Sequence, residues 1–521
     1  MIAFLIDAVN QKPSLKIDRN DWKKWRIFDF LLSFPGKMMY HRRCISTFVK
    51  DGFFMTIRQR ISPFIGDKAF YRSLMGIAVP IMLQNGLTNL VSLLDNIMVG
   101  AVGTEQMSGV SIVNQLLFIF NLCVFGGLAG AGIFTAQFFG KKDHKGVADT
   151  FRFKIWLSGL LLLLGVAILC IFQKPLIGMY LHEGGETGDI QATAEFGRKY
   201  LHIMLLGLLP FVIQQSYAST LREIGETLLP MKAGIVAIVV NLVFNYILIF
   251  GHLGAPAMGV EGAAAATVLS RYVECAIIVS WTHRHTDRAC FAAGIYRSLR
   301  VPAALTRQII TKGMPLLVNE FLWSTGIAML NQSYSTRGLA VVAAQNITST
   351  VSNLLNVVWM AMGVSLSIVV GQQLGANQFD KARQSVRRIM AFSMTLAAGM
   401  GVLMAVFSGL FPMLYNTSQE VRALAAGMLI ITAIGAPIHA GIHSSYFTLR
   451  SGGKTWITFL FDSVYLWVLS VPLAKILTGV TDWHILLIFA ICQYVDIIKC
   501  IAGMILVKKG VWIHNIVGDK A

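Results

Sequence analysis

The chain holds about twelve mostly apolar stretches of roughly 20 or more residues, from 71–98 near one end to 483–507 near the other. A helix rises about 1.5 Å per residue, so about 20 residues cross the ~30 Å hydrocarbon core of a bilayer. Inside that core every backbone N–H and C=O needs a partner, which leaves helices and closed barrels. Alternation of period two is rare along the chain, which excludes a barrel. Composition agrees: 13% of the residues are charged and 55% are hydrophobic, where a soluble domain carries about 25% charged residues. The expected fold class is an all-α polytopic membrane protein with about twelve transmembrane helices.

The chain has a net charge of +18, and beyond residues 1–65 its Lys and Arg cluster in alternate loops. GKKDHKG (140–146), LREIGETLLPMK (221–232), the 283–304 segment, GANQFDKARQSVRR (375–388) and LRSGGK (449–454) are basic, whereas GAVGTEQ (100–106), GHLGAPAMGVEG (251–262) and TGVTDW (478–483) are almost free of Lys and Arg. That alternation marks topology, not nucleic-acid binding, and puts the basic loops and both termini in the cytoplasm. The seven cysteines fall mostly in apolar spans and form neither a disulfide framework nor a metal-ligand spacing. Residues 1–65 are basic and aromatic without a full span. They read as a disordered extension, a start placed ahead of Met55, or an amphipathic segment lying on an anionic membrane surface.

Segment 283–304 divides the spans into two groups of six. Adding 235 to a position pairs Pro80 with Pro315, Asn96 with Asn331, Gly103 with Gly338, Asn121 with Asn356, Gln137 with Gln372, Gly140 with Gly375 and Arg152 with Arg387. Polar, Gly and Pro matches in one register indicate a repeat. LREIGET (221–227) likewise matches LRSGGKT (449–455) at an offset of 228. Both halves have the same span parity, so the repeat is parallel. The expected organisation is an N-terminal lobe (66–282), a cytoplasmic linker (283–304), a C-terminal lobe (305–508) and a cytoplasmic tail (509–521). Two such lobes rocking about a midplane site give alternating access.

LLDNIMVGAVGTEQMSGVSI (93–112), GAGIFTAQFFGKKD (130–143), STLREIGETLLPM (219–231), NLVFNYILIFGHLGAPAMGVEGAAAATVLSR (241–271), VVGQQLGANQFDKA (369–382) and FDSVYLWVLSVPLA (461–474) resemble the multidrug and toxic compound extrusion (MATE) family. The resemblance runs from about residue 65 to 515. It implies an antiporter that expels organic, often cationic, amphipathic compounds in exchange for inward protons or sodium ions. It also implies a V-shaped pair of six-helix lobes.

Asp95, in LVSLLDNIMVG (90–100), is the leading site residue. A carboxylate inside a span costs about 2.5–3.5 kcal/mol on insertion scales, so it normally faces a cavity or partner. An acid there can load a proton or hold sodium; the alternative is a helix-end cap. The resemblance makes Asp95 the cation-binding acid of the N lobe, with Asn241, Asn245 and Thr267 as partners. These three could also serve only as helix–helix hydrogen bonds. The family carries Asp in some members where Asn245 stands, so only one formal negative charge remains. Pro80 can bend the first span as a hinge or a fixed kink.

Glu320, in MPLLVNEFLWSTG (314–326), resembles the C-lobe acid of sodium-coupled members, and Asp462 is a second C-lobe acid. His439 and His443 share a helix face and read as proton exchange, cavity polarity or structural hydrogen bonding; Ala440 breaks the HExxH pattern of a zinc protease. Asp496 and Lys499, three apart, are expected to pair. RSGGKT (450–455) lacks the first Gly of a phosphate loop, since Thr448 stands there, which excludes ATP binding. GGLAGAG (126–132) reads as close helix packing.

The expected function is secondary antiport of amphipathic organic compounds, with no enzyme activity and no cofactor or metal beyond the coupling ion, H+ or Na+. The expected partners are the lipid bilayer of the cell membrane and small-molecule substrates, with the protein acting as a monomer and without nucleic acid. A flippase for lipid-linked sugars is the alternative and would show a basic cavity; an intramembrane enzyme is a weaker one, since no paired catalytic motif is present. Cysteine labelling from outside the cell is expected to tag positions in 100–106 and 251–260 and to spare 140–146 and 283–300; the opposite pattern would overturn the orientation.

Overall fold

The computed structural model describes residues 62–179, 190–415 and 417–518; the expectation for the N-terminal extension (1–65) lies outside them for all but its last four residues. The described residues are helical, without a strand. In chain order the N lobe contains α1 (Lys68–Gly100), α2 (Thr104–Lys141), α3 (His144–Ile171), α4 (Ile190–Leu206 and Leu208–Glu223), α5 (Leu228–Phe250) and α6 (Val260–Arg284). The C lobe contains α7 (Ala303–Ser335), α8 (Leu339–Gly375), α9 (Phe379–Phe407), α10 (Gln419–Ser451), α11 (Thr455–Val480) and α12 (Ile485–Lys509). Ten of the described helices are long and apolar enough to cross a membrane, eleven if α4 is one span. The remaining one, α7, has the length at 33 residues, but Lys312, Asn319, Glu320, Asn331 and Gln332 reduce its apolarity.

Local chemistry sets the helix ends and bends. Asp67, Asp143 and Ser418 cap α1, α3 and α10 by accepting the N–H groups of Phe70, Gly146 and Val421. Pro80 removes an N–H from α1 and so frees the Gly76 carbonyl; Thr227 donates its hydroxyl to that oxygen at 3.2 Å. In α4 the axis turns by 48° at Gly207. Pro210 leaves the Leu206 carbonyl without its helical donor, and Tyr272 supplies one at 3.3 Å. Arg271 donates to the Gly207 carbonyl at 3.4 Å. The continuous span expected over 190–222 is therefore a bent one, with the orphaned Leu206 carbonyl satisfied from α6.

The repeat is visible in the backbone. Lys142 and Asn377, equivalent positions just past α2 and α8, both take the left-handed conformation, with φ of 64° and 57°. The lobes meet reciprocally. Leu74 and Ala78 of α1 pack with Leu366 and Val370 of α8, and Leu316 of α7 packs with Ala129 and Ile133 of α2. Gly130 of α2 meets Gly313 of α7 backbone to backbone, so GGLAGAG (126–132) lies in a close helix crossing. At the end bearing the basic loops, a Cβ on Gly140 would strike the Gln372 carbonyl, and one on Gly375 would strike the Gln137 carbonyl.

The connecting segments are packed. In 283–304, Ala289, Phe291, Ala292 and Ile295 are buried against Val147, Phe151 and Tyr217, and Arg288 pairs with Glu226 at 3.2 Å. In the tail, Trp512 is buried, Ile516 donates its N–H to Gln137 Oε1 at 2.8 Å, and Asn515 donates to the Gly375 carbonyl at 3.3 Å. The tail thus touches both lobes at their crossing. Away from it, Leu163, Ile171, Val406 and Val468 project outward and are each about 70% exposed, a surface that matches lipid tails.

Gly140→Ala and Gly375→Ala are each expected to destabilise the protein by about 1–3 kcal/mol through overpacking, read as a lower Tm in detergent. Gly159→Ala and Gly399→Ala, where a Cβ meets nothing within 4 Å, are expected to leave Tm unchanged or raised. Equal effects at all four positions would contradict the crossing.

Candidate functional site

Asp95 sits about a turn and a half before the end of α1. Its side chain does not cap that helix. Asn245 of α5 reaches it, with Nδ2 2.5 Å from Asp95 Oδ1. Asn245 Nδ2 also donates to Asn241 Oδ1 at 3.2 Å, Asn241 Nδ2 to Thr267 Oγ1 at 3.3 Å, and Thr267 Oγ1 to the Ala263 carbonyl at 3.0 Å. All four expected N-lobe residues therefore form one chain across α1, α5 and α6. Asn241 and Asn245 lie four apart, which puts both amides on the same face of α5. Asn245 Oδ1 is buried without a hydrogen-bond partner, an orphaned acceptor beside the carboxyl group.

The C lobe is organised differently. Helix α11 is π-helical over Leu460–Val464 and Leu466–Ser470, a distortion found often at functional sites. Asp462 lies in the first of these segments. Lys499 of α12 donates to Asp462 Oδ1 at 2.5 Å, and Asn319 of α7 donates to Oδ2 at 3.0 Å. Ser463 donates to Asn319 Oδ1 at 2.7 Å. The expected Asp496–Lys499 pair is not formed: Lys499 turns to Asp462 instead. The reason is tertiary, since Asp462 presents its carboxylate from the neighbouring helix at ion-pair distance, with Phe461 and Tyr465 under the ammonium at 5.4 and 5.8 Å. His439 bonds Gln493 through Nε2 at 3.1 Å, and His443 lies near His439, Asp462 and Lys499. Glu320 follows Asn319 but stays outside this network and lies against Gly126 of α2 at the lobe contact.

Several polar groups inside the spans escaped the sequence reading. Lys154 of α3 is fully buried and binds Glu223 of α4 at 2.5 Å, with Ser219 and Thr220 at 3.2 and 3.0 Å. Glu274 of α6 accepts from Gln214 at 2.9 Å. Asn319 holds Asp462. Charge within an apolar run was the available signal for Lys154 and Glu274; nothing in spacing pointed to Asn319. A cavity between the lobes is lined by α2, α4, α8 and α10. It lies toward the end of the helices that carries the basic loops.

Two repeated lobes, carboxylate-centred sites within membrane helices and a cavity between the lobes define a secondary transporter. The MatE family model matches residues 80–247 and 315–476, two segments whose starts are separated by the repeat offset. The chain belongs to this family and is a multi-pass membrane transporter, not an enzyme. It is 25% identical over 423 residues to the probable multidrug resistance protein YoeA of Bacillus subtilis, covering 80% of this chain and 89% of that relative. It is also 25% identical over 411 residues to the probable multidrug resistance protein NorM of Thermotoga maritima, covering 78% and 85%. Among solved structures it is similar to a mutant of the MATE transporter VcmN of Vibrio cholerae, with a TM-score of 0.76, 19% identity and coverage of 85% and 97%. A MOP superfamily transporter from Pyrococcus furiosus gives a TM-score of 0.74 at 19% identity, covering 86% and 97%.

Removing one partner of a buried ion pair leaves an uncompensated charge. Lys499→Met is expected to cost about 3–5 kcal/mol of stability, and Asp462→Leu added to it should recover most of that loss. Asp496→Leu added to Lys499→Met should recover little. Thermal unfolding of the single and double variants checks this; recovery by Asp496→Leu instead would restore the pairing expected from spacing.

Proposed function

We propose that the protein exports amphipathic organic compounds, as in multidrug efflux, and draws the energy from protons or sodium ions returning through Asp95. The curated relatives named as multidrug resistance proteins support this reading. The observation that carries it is the chain Asp95–Asn245–Asn241–Thr267, which couples one carboxyl group to neutral amides and a hydroxyl inside the N lobe.

The chemistry of that chain favours a proton. Only one formal negative charge is present, because Asn245 is neutral. Rotating the Asn245 and Asn241 amides together by half a turn offers the Asn245 carbonyl to a protonated Asp95, lets Asn241 donate to that same carbonyl oxygen, and leaves the Asn241 oxygen to accept from the Thr267 hydroxyl. Ionised Asp95 takes the N–H; protonated Asp95 gives its proton to the carbonyl oxygen. The site thus has a hydrogen-bonded arrangement for each charge state. In the C lobe, Asp462 is occupied by Lys499 and Asn319, which leaves Glu320, of the two acids expected to couple there, to take a proton or a sodium ion. His439 and His443 supply further polarity beside the Asp462–Lys499 pair. The protein works as a monomer in the cell membrane, with the basic loops and both ends in the cytoplasm, and needs no cofactor besides the coupling ion.

Asp95→Asn keeps the shape and hydrogen bonding but removes the titratable group. Vesicles with an imposed pH gradient are expected to show no uphill accumulation of substrate by this variant, while folding is retained. Accumulation at the wild-type rate would show that Asp95 is not the coupling acid.

A further inference from the structure

The cavity between the lobes holds about 80 Å³ of water-accessible space in this conformation. Phe125, Leu128, Ile133, Val364 and Phe447 make its walls apolar, and its charged residues are Arg222, Glu223 and Arg450. The two arginines are equivalent in the repeat, each following the Leu of LREIGET or LRSGGKT. Each lobe therefore contributes one guanidinium to the same space.

The balance of charge there is positive. Glu223 is neutralised by Lys154 at 2.5 Å. At the equivalent C-lobe position stands Ser451, whose hydroxyl donates to Ser367 at 3.2 Å, so no second acid is present. Neither arginine is in an ion pair among the described residues. Arg450 is 9% exposed, and its Nε is buried without a hydrogen-bond partner. Its guanidinium lies 5.4 Å above the Phe447 ring. Arg222 reaches only the amide oxygen of Gln84, at 3.5 Å. The carboxylates that act on these arginines, Glu223 and Glu274 on Arg222 and Glu320 on Arg450, stay beyond ion-pair distance; Glu274 is engaged by Gln214, and the Tyr446 hydroxyl is the one side-chain hydrogen-bond partner of Arg450 among the described residues.

A buried guanidinium without full hydrogen bonding is costly to keep. Its planar fork suits a carboxylate, phosphate or sulfonate, which accepts two N–H bonds at once. A topology signal does not explain these two residues, since they line the cavity instead of lying in surface loops. We propose that Arg222 and Arg450 form a split anion-binding site, and that the cargo carries an anionic group on an apolar body. This rests on the efflux reading above and names its substrate class; a basic cavity is also what the flippase alternative expects, and the lipid arm of the test below separates the two. An anion held by one arginine from each lobe also bridges the lobes, so it favours the conformation closed at the basic end.

The test is equilibrium binding to the full chain in phosphatidylcholine nanodiscs, read by fluorescence, with 1-pyrenebutyrate and 1-pyrenebutylammonium as matched probes. Wild type should bind the carboxylate more tightly than the ammonium. Arg450→Gln and Arg222→Gln should each weaken carboxylate binding by about tenfold or more, as expected for loss of charge-assisted hydrogen bonds, and should not weaken ammonium binding. Arg450→Lys should restore part of the affinity, which separates lost charge from lost fold. If phosphatidylglycerol added to the discs displaces the carboxylate from wild type, the natural anion is a lipid head group; if it does not, the anion is a soluble organic acid. Both results support the site. Equal binding of the two probes to wild type, or carboxylate binding unchanged in both Gln variants, overturns it. Binding needs no ion gradient, so the absence of uphill transport would count against the efflux reading alone.

Discussion

Two backbone contacts without room for a side chain hold the lobes together at the end that carries the basic loops. Gly140 lies on the Gln372 carbonyl and Gly375 on the Gln137 carbonyl, and the repeat makes each contact the image of the other. The same glutamines tie the adjoining helix ends, with Gln137 donating to the Ser451 carbonyl at 2.9 Å and Gln372 to the Glu223 carbonyl at 2.8 Å. Glu223 and Ser451 directly follow Arg222 and Arg450. The crossing therefore sets where the two arginines stand, and it closes the cavity on that side. The tail adds to the seal through Asn515 and Ile516.

The two lobes have one architecture but handle buried charge in opposite ways. In the N lobe, the hydrogen-bond partner of Asp95 is a neutral amide, so no ion pair compensates a negative charge there; the proposed coupling role rests on that difference. In the C lobe, Lys499 and Asn319 each donate to one oxygen of Asp462, a contact that links α7, α11 and α12. Lys154 and Glu223 do the same for α3 and α4. Buried pairs of this kind add little net stability but are costly to break; they fix how the helices of one lobe sit against each other.

The spans, their alternation with basic loops and the repeat were legible in the sequence because each is a local pattern or a comparison within the chain. The N-lobe chain was legible through the resemblance, and Asn241 and Asn245 share a face by spacing alone. The misassigned Lys499 shows the limit. Spacing of three suggested Asp496, but a carboxylate from another helix won, and sequence distance carries no trace of that contact. The π-helical turns of α11 and the bend at Gly207 depend on groups supplied by neighbours, such as Tyr272. Segment 283–304 looked like a polar linker, yet Phe291 and Ile295 fold it onto the N lobe. The role of Arg450 is not legible in RSGGKT, which reads as a basic loop without the first Gly of a phosphate loop, because only the helix packing turns that residue into the cavity.

Alternating access requires the Gly140–Gly375 crossing to part during each cycle. In a cysteine-free background, Lys142→Cys and Asn377→Cys can be joined by a short reducible bifunctional reagent and transport followed in vesicles under a proton gradient and, separately, a sodium gradient. Two rigid lobes that must separate at this end predict that joining them stops gradient-driven transport, that reduction restores it, and that the unjoined double variant transports normally. Full transport by the joined protein would contradict the account.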